Sequence, residues 1–91
     1  MARASDSSLH EALRAFLVEK RKEAGLRQVD LAKRLKRKQD YISYVETGQK
    51  AVDVLELMEW AEAIGFDARD ALKCLPKYGN NPYNNPELRV A

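Results

Sequence analysis

The residues with the most chemistry to offer lie between Lys33 and Lys50. The stretch opens with Lys33, Arg34, Lys36, Arg37 and Lys38, five basic residues in six. Such a run suits the neutralisation of phosphates, each cation displacing a condensed counterion. Taken alone, it also reads as a solvated charged face. Its context comes from the residues that follow. Gln39, Asp40, Tyr41, Ser43, Tyr44 and Thr47 are polar or hydrogen-bonding, and apolar Ile42 and Val45 lie among them at helical spacing. A helix with that pattern buries Ile42 and Val45. It presents donors and acceptors outward, as a surface that reads base edges must.

Other chemistries find little support. There is no Ser-His-Asp set and no Gly-rich phosphate loop. The one histidine, His10, has no His or Cys companion at ligand spacing, so neither a metal nor another cofactor is expected. The one cysteine, Cys74, excludes an internal disulfide and reads as a small buried apolar residue. The acid pairs Glu56/Glu59 and Glu59/Glu62 are expected on an exposed face. Catalysis there would need burial to shift a pKa. The chain is therefore not expected to be an enzyme.

Two short helices must position the polar set. The first runs from Gln28 to Leu35, with Leu31, Ala32 and Leu35 inward. The second runs from Lys38 to Thr47 and is ended by Gly48. Small Ala32 lets the two approach closely. The spacing suits a helix-turn-helix, whose second helix enters the DNA major groove.

The flanking sequence supplies three more helices. One runs from Leu9 to Ala24, with Ser8 and Glu11 spaced as a capping box and Gly25 at its end. Its stripe is Leu9, Ala12, Leu13, Phe16 and Leu17. Another starts at Asp53, paired with Glu56 as a cap, and closes at Gly65. Its expected core stripe is Val54, Leu57, Ala61 and Ile64, with Trp60 also in the core. Leu55 and Met58 beside that stripe are either core or a dimer patch. The last helix runs from Asp67 to Leu75 and is stopped by Pro76. The fold class is thus all-α, a five-helix domain over residues 1–76. An Asn/Pro-rich tail over residues 77–91 is expected to be irregular.

Length and composition agree. The chain has 91 residues, 45% of them hydrophobic and 33% charged, which fits one small soluble domain. No apolar stretch reaches the length of a membrane span, and no signal peptide is visible. A reducing cytoplasm is the expected compartment. Net charge is only +2, but it is unevenly spread. Residues 14–50 hold 11 Lys/Arg against 5 Asp/Glu, whereas residues 51–75 hold 2 against 6. That split suggests one face for a polyanion and another for something else.

The stretch from Gly25 to Lys50 also resembles a known family. Gly25, Leu26, Gln28, Leu31, Ala32, Ile42, Ser43, Glu46 and Gly48 stand where the phage-repressor, or XRE, helix-turn-helix family has matching residues. The likeness continues through Asp53 to Asp67 and covers roughly residues 9–75. It implies a DNA-binding transcriptional regulator, most often a repressor, acting as a homodimer on a palindromic operator. Gln28 would bond a backbone phosphate and also Gln39, which would read a base. Asp40 and Tyr44 fall at base-reading positions. Tyr41 and Ser43 would touch base edges or phosphates, although Tyr41 is equally suited to packing. Thr47, Gln49 and Lys50 flank Gly48, where members meet the sugar-phosphate backbone. Arg37 and Lys38 join the basic run on the phosphates. Arg21 and Glu46 match a structural ion pair tying the first helix to the third.

The chain departs from the pattern at the turn. Lys36 stands where glycine is usual. A left-handed conformation there costs about 1 kcal/mol relative to glycine. Arg37 stands where an apolar residue is common. Asp40 is unusual on a reading face; it would accept from cytosine N4 or cap the helix. A competing reading is an antitoxin-like module. Its acidic fourth and fifth helices, or its tail, would bind a protein partner, and DNA binding would be autoregulatory.

Overall fold

The computed structural model describes residues 8–74. They form α1 (Ser8–Glu23), α2 (Gln28–Leu35), α3 (Gln39–Thr47), α4 (Val54–Ile64) and α5 (Ala68–Lys73). No strand occurs among the described residues, so the domain is all-α as expected. The expectation of an irregular tail over 77–91 lies outside them.

Helix ends follow local chemistry. Gly25, Gly48 and Gly65 follow α1, α3 and α4, each with a positive φ. Gly48 matters most, because its N–H turns back to the carbonyls of Tyr44 and Val45 and ends α3 beside α1. Asp53 caps α4 rather than beginning it. Its carboxylate accepts from the Glu56 N–H at 2.7 Å, and Glu56 accepts from the Asp53 N–H at 3.0 Å. Together these bonds satisfy two otherwise orphaned donors. Asp67 likewise caps α5, which ends at Lys73; Leu75 lies outside the described residues. Ser8 is itself the first residue of α1, and its capping bond to Glu11 lies outside the described side chains.

The turn between α2 and α3 passes through Lys36 in the left-handed region, at φ 57°. The Lys36 N–H reaches the carbonyls of Ala32 and Lys33, and the Arg37 N–H donates to the Ala32 carbonyl at 2.9 Å. The bonds close α2 as glycine would, with the steric cost left in place. Lys38 then caps α3 in an extended conformation without a side-chain bond, so α3 starts at Gln39.

Leu17, Leu31, Ile42, Val45 and Trp60 form the fully buried centre. Each such side chain contributes about 1.5–3 kcal/mol by burial. α2 packs on α3 and α4, α1 packs on α3 and α5, and α4 meets α5. Phe16 and Phe66 meet edge to face, with centroids 5.2 Å apart, and fasten α1 to the α4–α5 connection.

Three expectations about burial are corrected. Val54 is 72% exposed, although its spacing placed it in the core stripe. Glu56 is buried instead. It lies four residues before Trp60, and that large indole rotates the buried face of α4 toward the Glu56 side. Cys74 is exposed, because α5 ends before it and leaves it at the margin.

Candidate nucleic-acid interface

Helical geometry puts Gln39, Ser43 and Thr47 on one row of α3, with Asp40 and Tyr44 on the next. Gln39, Asp40, Tyr44 and Thr47 are exposed, and Ser43 is half-buried. Tyr44 is 46% exposed, a large exposed aromatic residue on this side of α3. The opposite side of α3 carries Ile42 and Val45 into the core. Nothing apolar is lost by turning the polar row outward.

A chain of hydrogen bonds fixes the start of that row. Arg21 on α1 holds Glu46 on α3 with two bonds, Nε to Oε2 at 2.7 Å and Nη2 to Oε1 at 3.1 Å. Its third donor, Nη1, reaches the Leu26 carbonyl at 2.8 Å. Both side chains are almost wholly buried, at 10% and 6% exposure. Removing either would strand a buried charge, at a cost of about 3–5 kcal/mol. Glu46 Oε1 also accepts from Gln28 Nε2 at 2.9 Å. That bond fixes the orientation of the Gln28 amide, whose Oε1 accepts from Gln39 Nε2 at 3.3 Å. An internal ion pair thereby positions the half-buried amide of Gln28 and, through it, the exposed amide of Gln39 at the front of α3.

At the far end of α3, Thr47 Oγ1 donates to the Ser43 carbonyl at 2.8 Å and accepts from Gln49 Nε2 at 3.1 Å. These groups line the turn at Gly48. The Arg14 guanidinium of α1 lies against the same glycine: a Cβ there would stand 2.8 Å from Arg14 Cζ. The Arg14 placement was not legible from α1's periodicity, because it depends on how α1 crosses α3.

Tyr41 faces elsewhere. Its hydroxyl accepts from Trp60 Nε1 at 3.0 Å and donates to Glu56 Oε2 at 3.0 Å. Burial, reinforced by the neighbouring Glu56 carboxylate, pushes its pKa up to about 12. Of the two roles the sequence left open for Tyr41, these bonds serve packing: the hydroxyl is spent on α4. The ring carries two cations, Arg37 at 4.4 Å and Lys50 at 5.7 Å from its centroid. Glu56, read in the sequence as a cap on an exposed acidic face, binds Lys50 Nζ at 3.0 Å as well. The signal for this second role was Trp60, one helical turn on.

The basic run is only partly free. Arg34 Nη1 donates to the Ala63 carbonyl at 2.7 Å, satisfying a C-terminal carbonyl of α4. Arg37 pairs with Glu59 at 3.2 Å. Lys33, Lys36 and Lys38 are exposed. Asp40 sits in the first turn of α3, but Lys38, not Asp40, is the cap residue. Leu55 and Met58 are 72% and 56% exposed, which excludes a core role for them in the isolated chain. No group of metal-binding side chains is present among the described residues. None of the described helices is long and apolar enough to cross a membrane.

Residues 12–72, more than half of the chain, match the family model of a helix-turn-helix domain. The chain is similar to an XRE-family like protein of known structure from Pseudomonas syringae pv. tomato str. DC3000, with 38% identity. The match covers 70% of this chain and 78% of that one, with a TM-score of 0.67. The chain belongs to the XRE-type helix-turn-helix family. No curated protein matches it. Membership makes it a DNA-binding regulator, and XRE-family members are in general non-enzymatic. Both α2 and α3, the two short helices joined by the Lys36 turn, lie inside the matched residues.

Proposed function

We propose that this protein is a sequence-specific repressor that binds a palindromic operator as a homodimer. α3 enters the major groove. Gln39 reads a base there, with adenine the natural partner of a bidentate amide. Tyr44, Asp40 and Ser43 lie on the same exposed side and complete the reading set. Gln28, Lys38, Thr47, Gln49 and Lys50 grip the backbone around it. The observation that carries this reading is the Arg21–Glu46–Gln28–Gln39 chain, which orients an exposed amide from a buried ion pair. Preorganisation of this kind lowers the cost of ordering a side chain on binding. One such module buries little surface on DNA, so the homodimer supplies the affinity.

The test is selection of binding sites from random duplex DNA, followed by Gln39→Ala on the enriched sequence. A palindrome with half-sites roughly 34 Å apart is expected. Gln39→Ala is expected to weaken binding by about 1–3 kcal/mol and to relax the preference at one position per half-site. Equal affinities of the variant and the parent for selected and scrambled duplexes would overturn the reading of Gln39. Failure to enrich any sequence would overturn sequence specificity.

A further inference from the structure

Arg37 precedes α3 by two residues and Lys50 follows it by three, yet the two cations converge on one tyrosine ring. Without a partner they would repel each other. The ring offers each a negative π face, and two acids from α4 stand behind them, Glu59 for Arg37 and Glu56 for Lys50. The ring itself cannot turn away, because its hydroxyl is held from both sides by Trp60 and Glu56. Arg37 and Glu59 are both substantially exposed. An ion pair of that kind is weak, and a phosphate can replace the carboxylate while the guanidinium stays on the ring.

We propose that Tyr41 is a positioning residue for DNA binding: anchored to α4 through Glu56 and Trp60, its ring holds Arg37 and Lys50 together as a clamp for the phosphate backbone beside α3. The inference rests on the reading of α3 as the groove helix. It assigns Tyr41 a role that is neither base reading nor core filling. It also gives the buried acid of α4 a part in DNA affinity without any contact to DNA.

The experiment measures binding of the full chain to a mixed-sequence duplex of about 30 base pairs, by fluorescence anisotropy, between about 50 and about 200 mM salt. The variants are Arg37→Ala, Arg37→Lys, Tyr41→Phe, Tyr41→Leu and the double variant Arg37→Ala/Tyr41→Leu. Each is checked by circular dichroism to be folded at the assay temperature. Arg37→Ala is expected to reduce the slope of log affinity against log salt by about 1. Tyr41→Leu should reduce it by a similar amount, and the double variant should lose little more than either single one. Tyr41→Phe keeps the ring but frees it from Glu56 and Trp60, and should reduce the slope by less than Tyr41→Leu. Arg37→Lys keeps the charge but stacks poorly, and should weaken binding nearly as much as Arg37→Ala.

A folded Tyr41→Leu with the parent's slope would overturn the proposal. So would losses that add in full in the double variant. Should Tyr41→Leu not fold, the surface substitution Arg37→Lys decides: affinity equal to the parent's means that ring stacking does not position the cation. A parent chain that binds no duplex would overturn the underlying DNA reading as well. A parent that binds, with unaffected variants, overturns only the clamp.

Discussion

Glu56 accepts hydrogen bonds from the Asp53 N–H, from Lys50 and from Tyr41 while its residue is buried. Burial alone would raise its pKa. The bonds from Asp53, Lys50 and Tyr41 outweigh it, so the carboxyl titrates below its ordinary value of 4.5. The folded state therefore binds this proton more weakly than the unfolded state does. Stability from Glu56 is fully present above pH 4.5 and is lost as pH falls through the lower folded value. Glu56→Gln should cost about 1–3 kcal/mol at neutral pH, because three partners lose a charged acceptor at a buried position. It should also flatten the acid limb of a melting-temperature profile. An acid limb as steep as the parent's would place the loss on other carboxylates. Asp30 and Asp67, lowered to about 2 by Arg27 and Arg69, are the alternatives on the surface. Little of this was legible in the sequence, where Glu56 showed its capping distance from Asp53 and its place one turn before Trp60. Periodicity identifies a face, and it cannot reveal that a tyrosine from another helix will present a hydroxyl to that face. Tyr41 was ambiguous for the same reason. Gln28 and Gln39, by contrast, were legible as a pair because the resemblance fixed both of their positions.

Two turns of the motif adopt left-handed backbone, one through a lysine and one through a glycine, and they should respond oppositely to substitution. Lys36 stands at φ 57° and Gly48 at φ 88°. A side chain in that region costs roughly 1–2 kcal/mol. Lys36→Gly removes the cost in the folded state but adds freedom to the unfolded chain. The net effect should lie between neutral and a gain of about 1 kcal/mol. Gly48→Ala introduces the same cost and sets a Cβ 2.8 Å from Arg14 Cζ. The guanidinium is the end of a flexible side chain and can swing aside, so the backbone supplies most of the penalty, about 1–2 kcal/mol. Thermal melts check both, since each kcal/mol moves the midpoint by roughly 4–8 °C in a domain of this size. A clear fall for Lys36→Gly would mean that the lysine side chain itself holds the turn. Helix ends were largely readable because glycine and aspartate mark them through backbone chemistry local to each end. The buried face of α4 was less readable: Trp60 draws Glu56 inward and leaves Val54 in solvent, a choice made by tertiary packing.

Across the whole molecule, the division of charge along the chain is partly internal bookkeeping. α4 answers the basic run through Arg37–Glu59, and Glu56 holds Lys50. Arg34 is bound to the same helix through the Ala63 carbonyl. The acidic segment thus serves the fold and the cations that flank α3, and its net charge alone is weak evidence for a protein partner. The apolar surface of α4 is stronger evidence for an interface. Leu55 and Met58 lie three residues apart on one exposed side, with Val54 adjoining. A small domain gains nothing from displaying these side chains to water, and their association would bury them. Each substitution is on the surface, so Leu55→Glu/Met58→Glu should preserve the melting temperature of the domain. If these residues form the two-fold interface, like charges will face each other across it, and sedimentation should show the variant as a monomer where the parent is a dimer. Binding to the palindromic site should then fall at least about ten-fold, because the linkage that makes the second half-site an intramolecular event is lost. Binding to an isolated half-site should be unchanged, because α3 is untouched. A variant that stays dimeric would move the interface off α4, with Leu72, 40% exposed on α5, as the next apolar side chain to substitute. A monomeric parent that still prefers a palindrome would mean that the two copies meet only on DNA, and the same variant would then lose cooperativity while keeping its affinity for a single half-site.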